Sequence, residues 1–133
     1  MANLSPAEIM LDSLVPAQRL IRRLQGALKA PLSYVGVDLS TATKAKTAAL
    51  QNALQGYIGE LTAQREKAAA LVNLIPDQTA RTVIELRYGL LGSGCELMPY
   101  PEVGETLNYA DKTILQYRKK GVDQLNQLLK NGG

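Results

Sequence analysis

One short segment near the C-terminus carries side chains whose types and spacing suit contact with DNA. From residue 112 to residue 122 the chain has four positive charges and no carboxylate. Lysine and arginine neutralise phosphates, and a glutamine such as Gln116 can form two hydrogen bonds with an adenine edge. Because Lys112 and Gln116 are four residues apart, a helix would turn both toward the same side. The candidate DNA-contacting residues are Asp111, just before this segment, and Lys112, Leu115, Gln116, Arg118, Lys119 and Lys120 within it.

Two of these candidate residues have more than one interpretation. Leu115 would either touch a thymine methyl group or belong to the protein core. Asp111 stands at the expected start of a helix, where an acid interacts favourably with the positive helix end or accepts a hydrogen bond from a cytosine amino group. The whole segment can also be interpreted as a solvated basic face of a C-terminal helix, with no partner.

The composition argues against a catalytic or metal-binding protein. The chain has no histidine, the commonest metal ligand and the usual general base near neutral pH. Its single cysteine, Cys95, cannot form an internal disulfide and has no Lys, Arg or His within several residues to stabilise a thiolate. We therefore expect no enzymatic activity, no cofactor and no chemical role for Cys95.

The same composition predicts a protein of the cytoplasm. No apolar run approaches the roughly 20 residues that a membrane span requires. The N-terminal residues lack the basic region and apolar stretch of a signal peptide, and a lone cysteine fits a reducing compartment. The formal net charge of +3 is only mildly basic, so the position of the charges matters more than their sum.

The basic segment needs helices to position it. A short helix from Pro101 to Leu107, a turn at Asn108 and Tyr109, and a helix from residue 111 to about residue 130 form a candidate helix-turn-helix unit. Gly104 would allow a close approach between its parts. The apolar residues expected to join the two helices are Val103, Leu107, Ile114 and Val122. The stripe of the second helix expected to face the core is Ile114, Tyr117, Val122, Leu125 and Leu129.

Three further helices are expected upstream. Ser5 and Glu8 have the spacing of a capping box, so a helix should begin there, kink or restart at Pro16 and end near residue 30. A connector over residues 31–40 should lead into a long helix over about residues 41–74. The next helix should occupy residues 76–89, between start signals at its first residues and a glycine cap at its end.

The long helix has an apolar seam with heptad spacing, and this seam requires a partner. The seam residues are Leu50, Leu54, Tyr57, Leu61, Gln64, Ala68, Leu71 and Ile75. Two pairings remain open: a hairpin with the first helix of the same chain, or a coiled coil between subunits. The chain is therefore expected to be all-α, with a helical hairpin or coiled-coil oligomerisation region over residues 1–75 and a helix-turn-helix domain over residues 76–133.

The segments "VIELRYGLL" and "PEVGETLNYADKTILQYRKKGVDQL" together resemble region 4 of the sigma-70 family of bacterial transcription factors. That region has a Leu-Arg-Tyr-Gly-Leu segment, a variable loop, a Glu-Val-Gly helix and a recognition helix in the same order. The similarity covers about residues 80–129. It implies a helix-turn-helix domain that binds double-stranded DNA, and it adds Arg87 and Thr113 to the candidate DNA-contacting residues.

Several positions depart from the family pattern. Ala110 stands where the common turn pattern has a helix-capping serine, and Pro99 replaces the customary threonine cap. Asp111 and Leu115 occupy positions at which primary sigma factors carry DNA-contacting arginines, and Lys112 replaces a glutamate. We therefore do not expect recognition of the usual promoter element.

The arrangement of front helices with a heptad seam ahead of a sigma-like C-terminal domain resembles small phage and prophage regulators of the ArpU and RinA type, over most of the chain. This resemblance implies a sequence-specific transcriptional regulator in a bacterial host cell, self-associated through its front helices, with a dimer favoured. Two other functions remain open. One is a small terminase-like DNA-packaging protein, which a ring of many subunits would favour. The other is a sigma region 4 mimic that binds RNA polymerase without reading DNA.

Overall fold

Helices form all the regular structure in the part of the chain that the structure describes. The structure is a computed structural model, and it describes residues 3–29 and 41–132. Among these residues there are six helices and no strand, so the predicted all-α class is confirmed. None of the described helices is long and apolar enough to cross a membrane. The helices are α1 (Pro6–Asp12), α2 (Leu14–Lys29), α3 (Thr41–Val72), α4 (Gln78–Arg87), α5 (Tyr100–Leu107) and α6 (Asp111–Lys130).

The first predicted helix is divided into α1 and α2 at Ser13. The capping box is confirmed, because the Glu8 backbone N–H donates to Ser5 Oγ and the Ser5 N–H donates to Glu8 Oε1. The kink or restart was expected at Pro16, but the break lies three residues earlier, where Ser13 Oγ donates to the Met10 carbonyl at 2.6 Å. Pro16 then falls in the first turn of α2, where its missing N–H has no helical partner to lose.

The long helix α3 packs against α2 within the chain. The seam is buried at its C-terminal end, at Ala68, Leu71 and Ile75, and exposed farther out, at Leu50 and Tyr57. The pairing within one chain is therefore present, and a coiled coil between subunits stays a prediction. The predicted connector over residues 31–40 lies outside the described residues.

The end of α4 is set by its glycine, as the sequence predicted. Gly89 has a φ of 73°, a conformation that favours glycine. Its N–H donates to the Leu86 carbonyl at 3.3 Å, and the Leu90 N–H donates to the Glu85 carbonyl at 2.9 Å. These two bonds satisfy carbonyls that the helix leaves free at its C-terminus, in the pattern of a Schellman motif.

One hydrophobic core joins the front helices to the C-terminal segment. Leu11 of α1 is fully buried in the same cluster as Tyr88, which follows α4, and Leu125 of α6. Val122 was expected to pack against α5, but it lies in this larger cluster. A second, smaller cluster contains Val83, Val103 and Ile114, which confirms the predicted contact between α5 and α6. The predicted domain boundary between residues 75 and 76 stays a prediction, because the hydrophobic core contains residues from both sides of that boundary.

Gly121 allows α6 to approach α4 closely. A Cβ atom at this position would collide with Ile84 Cδ1 and would lie 3.3 Å from the Ala80 carbonyl oxygen. Both Ile84 and Ala80 are fully buried, so there is little free space into which they can move. The approach of the two helices therefore depends on a residue without a side chain.

We expect Gly121→Ala to lower the free energy of unfolding by about 1–3 kcal/mol, because the added methyl group overpacks the contact with Ile84. The matched control is Gly56→Ala on α3, where nothing lies within 4 Å of an added Cβ. That variant should be more stable than wild type, by up to about 1 kcal/mol, because alanine is the better helix former. Urea unfolding followed by circular dichroism measures both changes.

Ile84→Val supplies the second half of a double-mutant cycle, because it removes the methyl group that the added Cβ would meet. The double variant Gly121→Ala with Ile84→Val should lose less stability than the sum of the two single variants. Strict additivity would show that the contact between Gly121 and Ile84 does not limit the packing of α6.

Candidate nucleic-acid interface

The turn between α5 and α6 is held by backbone geometry. Asn108 has φ 61° and ψ 47°, in the left-handed region, and the Tyr109 N–H donates to the Gly104 carbonyl at 2.9 Å. A Cβ on Gly104 would lie only 2.7 Å from the Tyr109 carbonyl oxygen, so the predicted close approach at this glycine is present. Neither Ala110 nor Pro99 forms a side-chain cap, in keeping with the expected loss of both caps. Asp111 Oδ1 would lie 3.4 Å from that added Cβ, so this carboxylate is turned toward α5.

The ring of Tyr109 connects the turn to α6, a contact that the sequence did not predict. Its centroid lies 5.6 Å from that of Tyr117, with an interplanar angle of 44°. Tyr117 in turn packs against both hydrophobic clusters, so it connects the turn to the core. A tyrosine in the turn and another on the following helix, eight positions apart, were the available sequence signal for this contact.

Four of the predicted residues form one exposed face on the N-terminal half of α6. The members of this face, here called the α6 polar face, are Lys112, Leu115, Gln116 and Lys119. Leu115 is 49% exposed, so the alternative that placed it in the core is wrong. The opposite side of the helix carries Ile114, Gly121 and Leu125, all buried. Thr113 lies at the border and is half-buried.

Lys120 is joined to the start of α4. Its Nζ lies 2.7 Å from Asp77 Oδ2, while Asp77 Oδ1 accepts a hydrogen bond from the Ala80 N–H at 2.8 Å. The hydrogen bond from Lys120 and then that from Ala80 lower the pKa of the Asp77 carboxyl, and the same ion pair raises the pKa of Lys120. Lys120 therefore joins α6 to the start of α4, although its side chain is still 53% exposed.

Arg118 faces α1 and the end of α4 instead of the α6 polar face. Its guanidinium donates to Glu8 Oε2 at 3.4 Å and to the Tyr88 hydroxyl at 3.2 Å. Its side chain is 24% exposed. Burial by itself lowers the pKa of Arg118, but the bond with Tyr88 and nearby charges raise it overall, so the group stays charged. The structure therefore does not bring Arg118 together with the predicted DNA contacts.

Arg87 holds the loop between α4 and α5. Its Nη1 donates to the Met98 carbonyl at 3.0 Å, and the Met98 N–H donates back to the Arg87 carbonyl at 2.9 Å. Its guanidinium carbon also lies 4.2 Å from the centroid of the Tyr100 ring, a cation–π distance. Like Arg118, Arg87 lies within the framework of the domain and is not part of the α6 polar face.

The Asp77 ion pair predicts a specific pH dependence. The folded-state pKa of Asp77 lies below its unfolded value. The stability that the ionised carboxylate contributes is therefore complete above the unfolded pKa of about 4, and it is lost as the pH falls through the folded pKa. Asparagine can still cap the helix but does not titrate. We expect Asp77→Asn to lose less unfolding free energy than wild type between about pH 7 and about pH 3.

Urea unfolding at a series of pH values measures this difference. Lys120→Gln removes the largest cause of the shift while leaving the Asp77 cap, so its pH dependence should fall between those of wild type and Asp77→Asn. Identical acid dependence in all three proteins would show that the ion pair does not contribute.

Arg118→Gln should destabilise the fold by about 1–3 kcal/mol, because it leaves the buried Tyr88 hydroxyl without its partner. The matched control is Lys119→Gln, the neighbouring residue on the exposed side, which should change stability by less than about 0.5 kcal/mol. Thermal and urea unfolding compare the two variants. Equal effects would contradict the assignment of Arg118 to the fold.

Comparison of the chain with protein-family models, with curated proteins and with solved structures gives no match in any of the three.

Proposed function

We propose that this protein is a sequence-specific DNA-binding transcriptional regulator of the phage or prophage type. In this proposal α5, the turn and α6 act as a helix-turn-helix, and the N-terminal half of α6 lies in the major groove of double-stranded DNA. The front helices position this unit and join two copies of the chain. The resemblance of the C-terminal segment to sigma-70 region 4 supports the proposal.

The α6 polar face is the observation that carries this proposal. Lys112 and Gln116 are both exposed near the start of the helix, the part of a recognition helix that contacts base edges. Leu115, exposed beside them, offers an apolar surface to a thymine methyl group. An α-helix about 10–12 Å across fits a major groove about 12 Å wide, so no rearrangement of α6 is required.

The remaining charges restrict how DNA can approach. Glu102 and Glu105 are exposed on α5, and Asp111 is turned toward that helix. Carboxylates repel phosphates, so α5 cannot lie with its acidic side against the DNA backbone. The approach that avoids this repulsion places Gln116 over the bases and Lys119 toward a phosphate.

Self-association of the front helices accounts for exposed apolar residues on α3. Leu50 is 61% exposed and Tyr57 is 45% exposed, both at positions of the heptad seam. Pairing of this part of α3 with a second copy would remove these side chains from water. A dimer would present two copies of α6 to two half-sites of an operator.

Selection of bound duplexes from a genomic DNA pool, followed by binding measurements on the selected and a scrambled duplex, tests the proposal. Gln116→Ala should weaken binding by about 1–3 kcal/mol on the selected duplex alone, because it removes a base contact. Lys119→Ala should weaken both duplexes alike and reduce the salt dependence by roughly one unit of slope, because it removes a phosphate contact.

Lys130→Ala is the matched control, since it removes an exposed lysine from the last turn of α6, far along the helix from Gln116. It should leave the preference for the selected duplex unchanged. Failure to enrich any duplex would contradict the proposal, and polymerase capture from nuclease-treated bacterial lysate would then favour the polymerase-binding alternative. A ring of many subunits, measured by mass, would favour the packaging alternative.

A further inference from the structure

The net positive charge of this protein lies outside residues 76–133, the C-terminal part of the chain that contains the proposed recognition helix. Residues 76–133 contain seven Lys and Arg and seven Asp and Glu, so they carry no formal net charge. Residues 14–75 contain eight Lys and Arg against three Asp and Glu. Attraction to phosphates supplies most of the sequence-independent affinity of DNA-binding proteins. Because residues 76–133 have no net charge, the attraction to phosphates has to come from another part of the chain.

The outward side of α2 carries the densest part of this charge. Arg19, Arg22 and Arg23, here called the α2 basic face, are all exposed, and α2 contains no acid. Since successive residues of a helix are about 100° apart, the three arginines share one side. The opposite side holds Leu14 and Ile21, which are only 2% and 4% exposed.

Mutual repulsion makes this arrangement unfavourable in the free protein. Arg19 is three residues from Arg22 and four from Arg23, the spacings at which like charges on a helix repel. Among the described residues, no carboxylate lies within ion-pair distance of any of the three. A polyanion bound at this side would remove the repulsion.

Hydrogen bonds place the α2 basic face beside the loop that leads into α5. Arg19 Nε donates to the Cys95 carbonyl, and Arg22 Nη2 donates to the Ser93 carbonyl at 3.4 Å. A carbonyl does not neutralise the charge, and a guanidinium has five N–H donors, so both side chains keep donors for a phosphate. Asp12 and Glu96 line a surface pocket with Arg19 and offset part of its charge, so Arg22 and Arg23 carry the larger share.

We infer that the α2 basic face is a second DNA-contact surface, which binds the phosphate backbone of the duplex that α6 reads. The inference rests on the proposed DNA binding and assigns most of the salt-dependent affinity to α2 and the base preference to α6. A membrane surface is the less suitable partner, because a helix that lies on a membrane inserts its apolar side, and that side of α2 is buried within the protein.

The test compares wild type with the double variant Arg22→Gln and Arg23→Gln on the selected and scrambled duplexes across a salt series. The variant should bind both duplexes more weakly by the same factor, and its salt slope should be smaller by roughly two units, one for each lost phosphate contact. Its preference for the selected duplex should stay that of wild type. In contrast, Gln116→Ala should lower the preference and keep the slope.

Two matched variants separate the α2 basic face from simpler causes. Lys67→Gln with Lys130→Gln removes two charges from exposed positions on other helices, and it should keep most of the wild-type slope. Arg22→Lys with Arg23→Lys keeps the charge but not the guanidinium geometry, and it should also keep the slope. If Lys67→Gln with Lys130→Gln reduces the salt slope as much as the arginine-to-glutamine variant does, net charge alone acts. If Arg22→Lys with Arg23→Lys reduces the slope equally, the effect is structural. Either result overturns the inference.

Failure of the inference is distinguishable from failure of the proposed function. If wild type prefers the selected duplex and Gln116→Ala reduces that preference, but the α2 variant matches wild type, only the inference is wrong. If wild type binds neither duplex, the proposed function is wrong and the inference falls with it. Arginine-dependent binding to phosphatidylglycerol vesicles or to duplex RNA, without binding to DNA, would overturn the assigned partner.

Discussion

The packing of α6 against α4 and α1 is the constraint on which the rest of the structure depends. Gly121 lets the backbone of α6 approach Ile84 of α4, while Leu125 is fully buried in the cluster that includes α1. Once this side of the helix is buried, the fixed rotation of about 100° per residue leaves Lys112 and Gln116 on the other side. The exposed polar face is thus a consequence of core packing, and no separate interaction is required to orient it.

Charged side chains of α6 reinforce the same orientation. Arg118 joins the helix to Glu8 of α1, and Lys120 joins it to Asp77 at the start of α4. An arginine that is mostly buried needs such partners, because removing its charge from water is costly when no group compensates. Two of the four cations between residues 112 and 122 are therefore engaged within the molecule, and Lys112 and Lys119 remain on the polar face. Because Lys112 and Lys119 are the cations left on this face, the proposal assigns the base contacts to α6 and most of the phosphate contacts to α2.

The elements that begin and end at local signals could be predicted from the sequence. Ser5 and Glu8 mark the start of α1, and Gly89 ends α4, because caps and left-handed turns involve residues only a few positions apart. Pro16 was misleading because a proline can either break a helix or occupy its first turn. Hydrogen bonding at Ser13, three residues earlier, decided between those two arrangements.

The sequence by itself determined the all-helical class, most helix ends and the presence of a basic, polar segment that includes Lys112 and Gln116. Only the tertiary structure decided which members of that segment are free to contact a partner. Arg118 meets Glu8 across 110 positions of sequence, and its hydroxyl partner Tyr88 lies 30 positions away. Periodicity indicates which side of a helix a residue occupies, but it does not indicate which distant chain segment covers that side. Long-range packing therefore turned Arg118 toward α1 and the end of α4 and left Leu115 exposed to solvent.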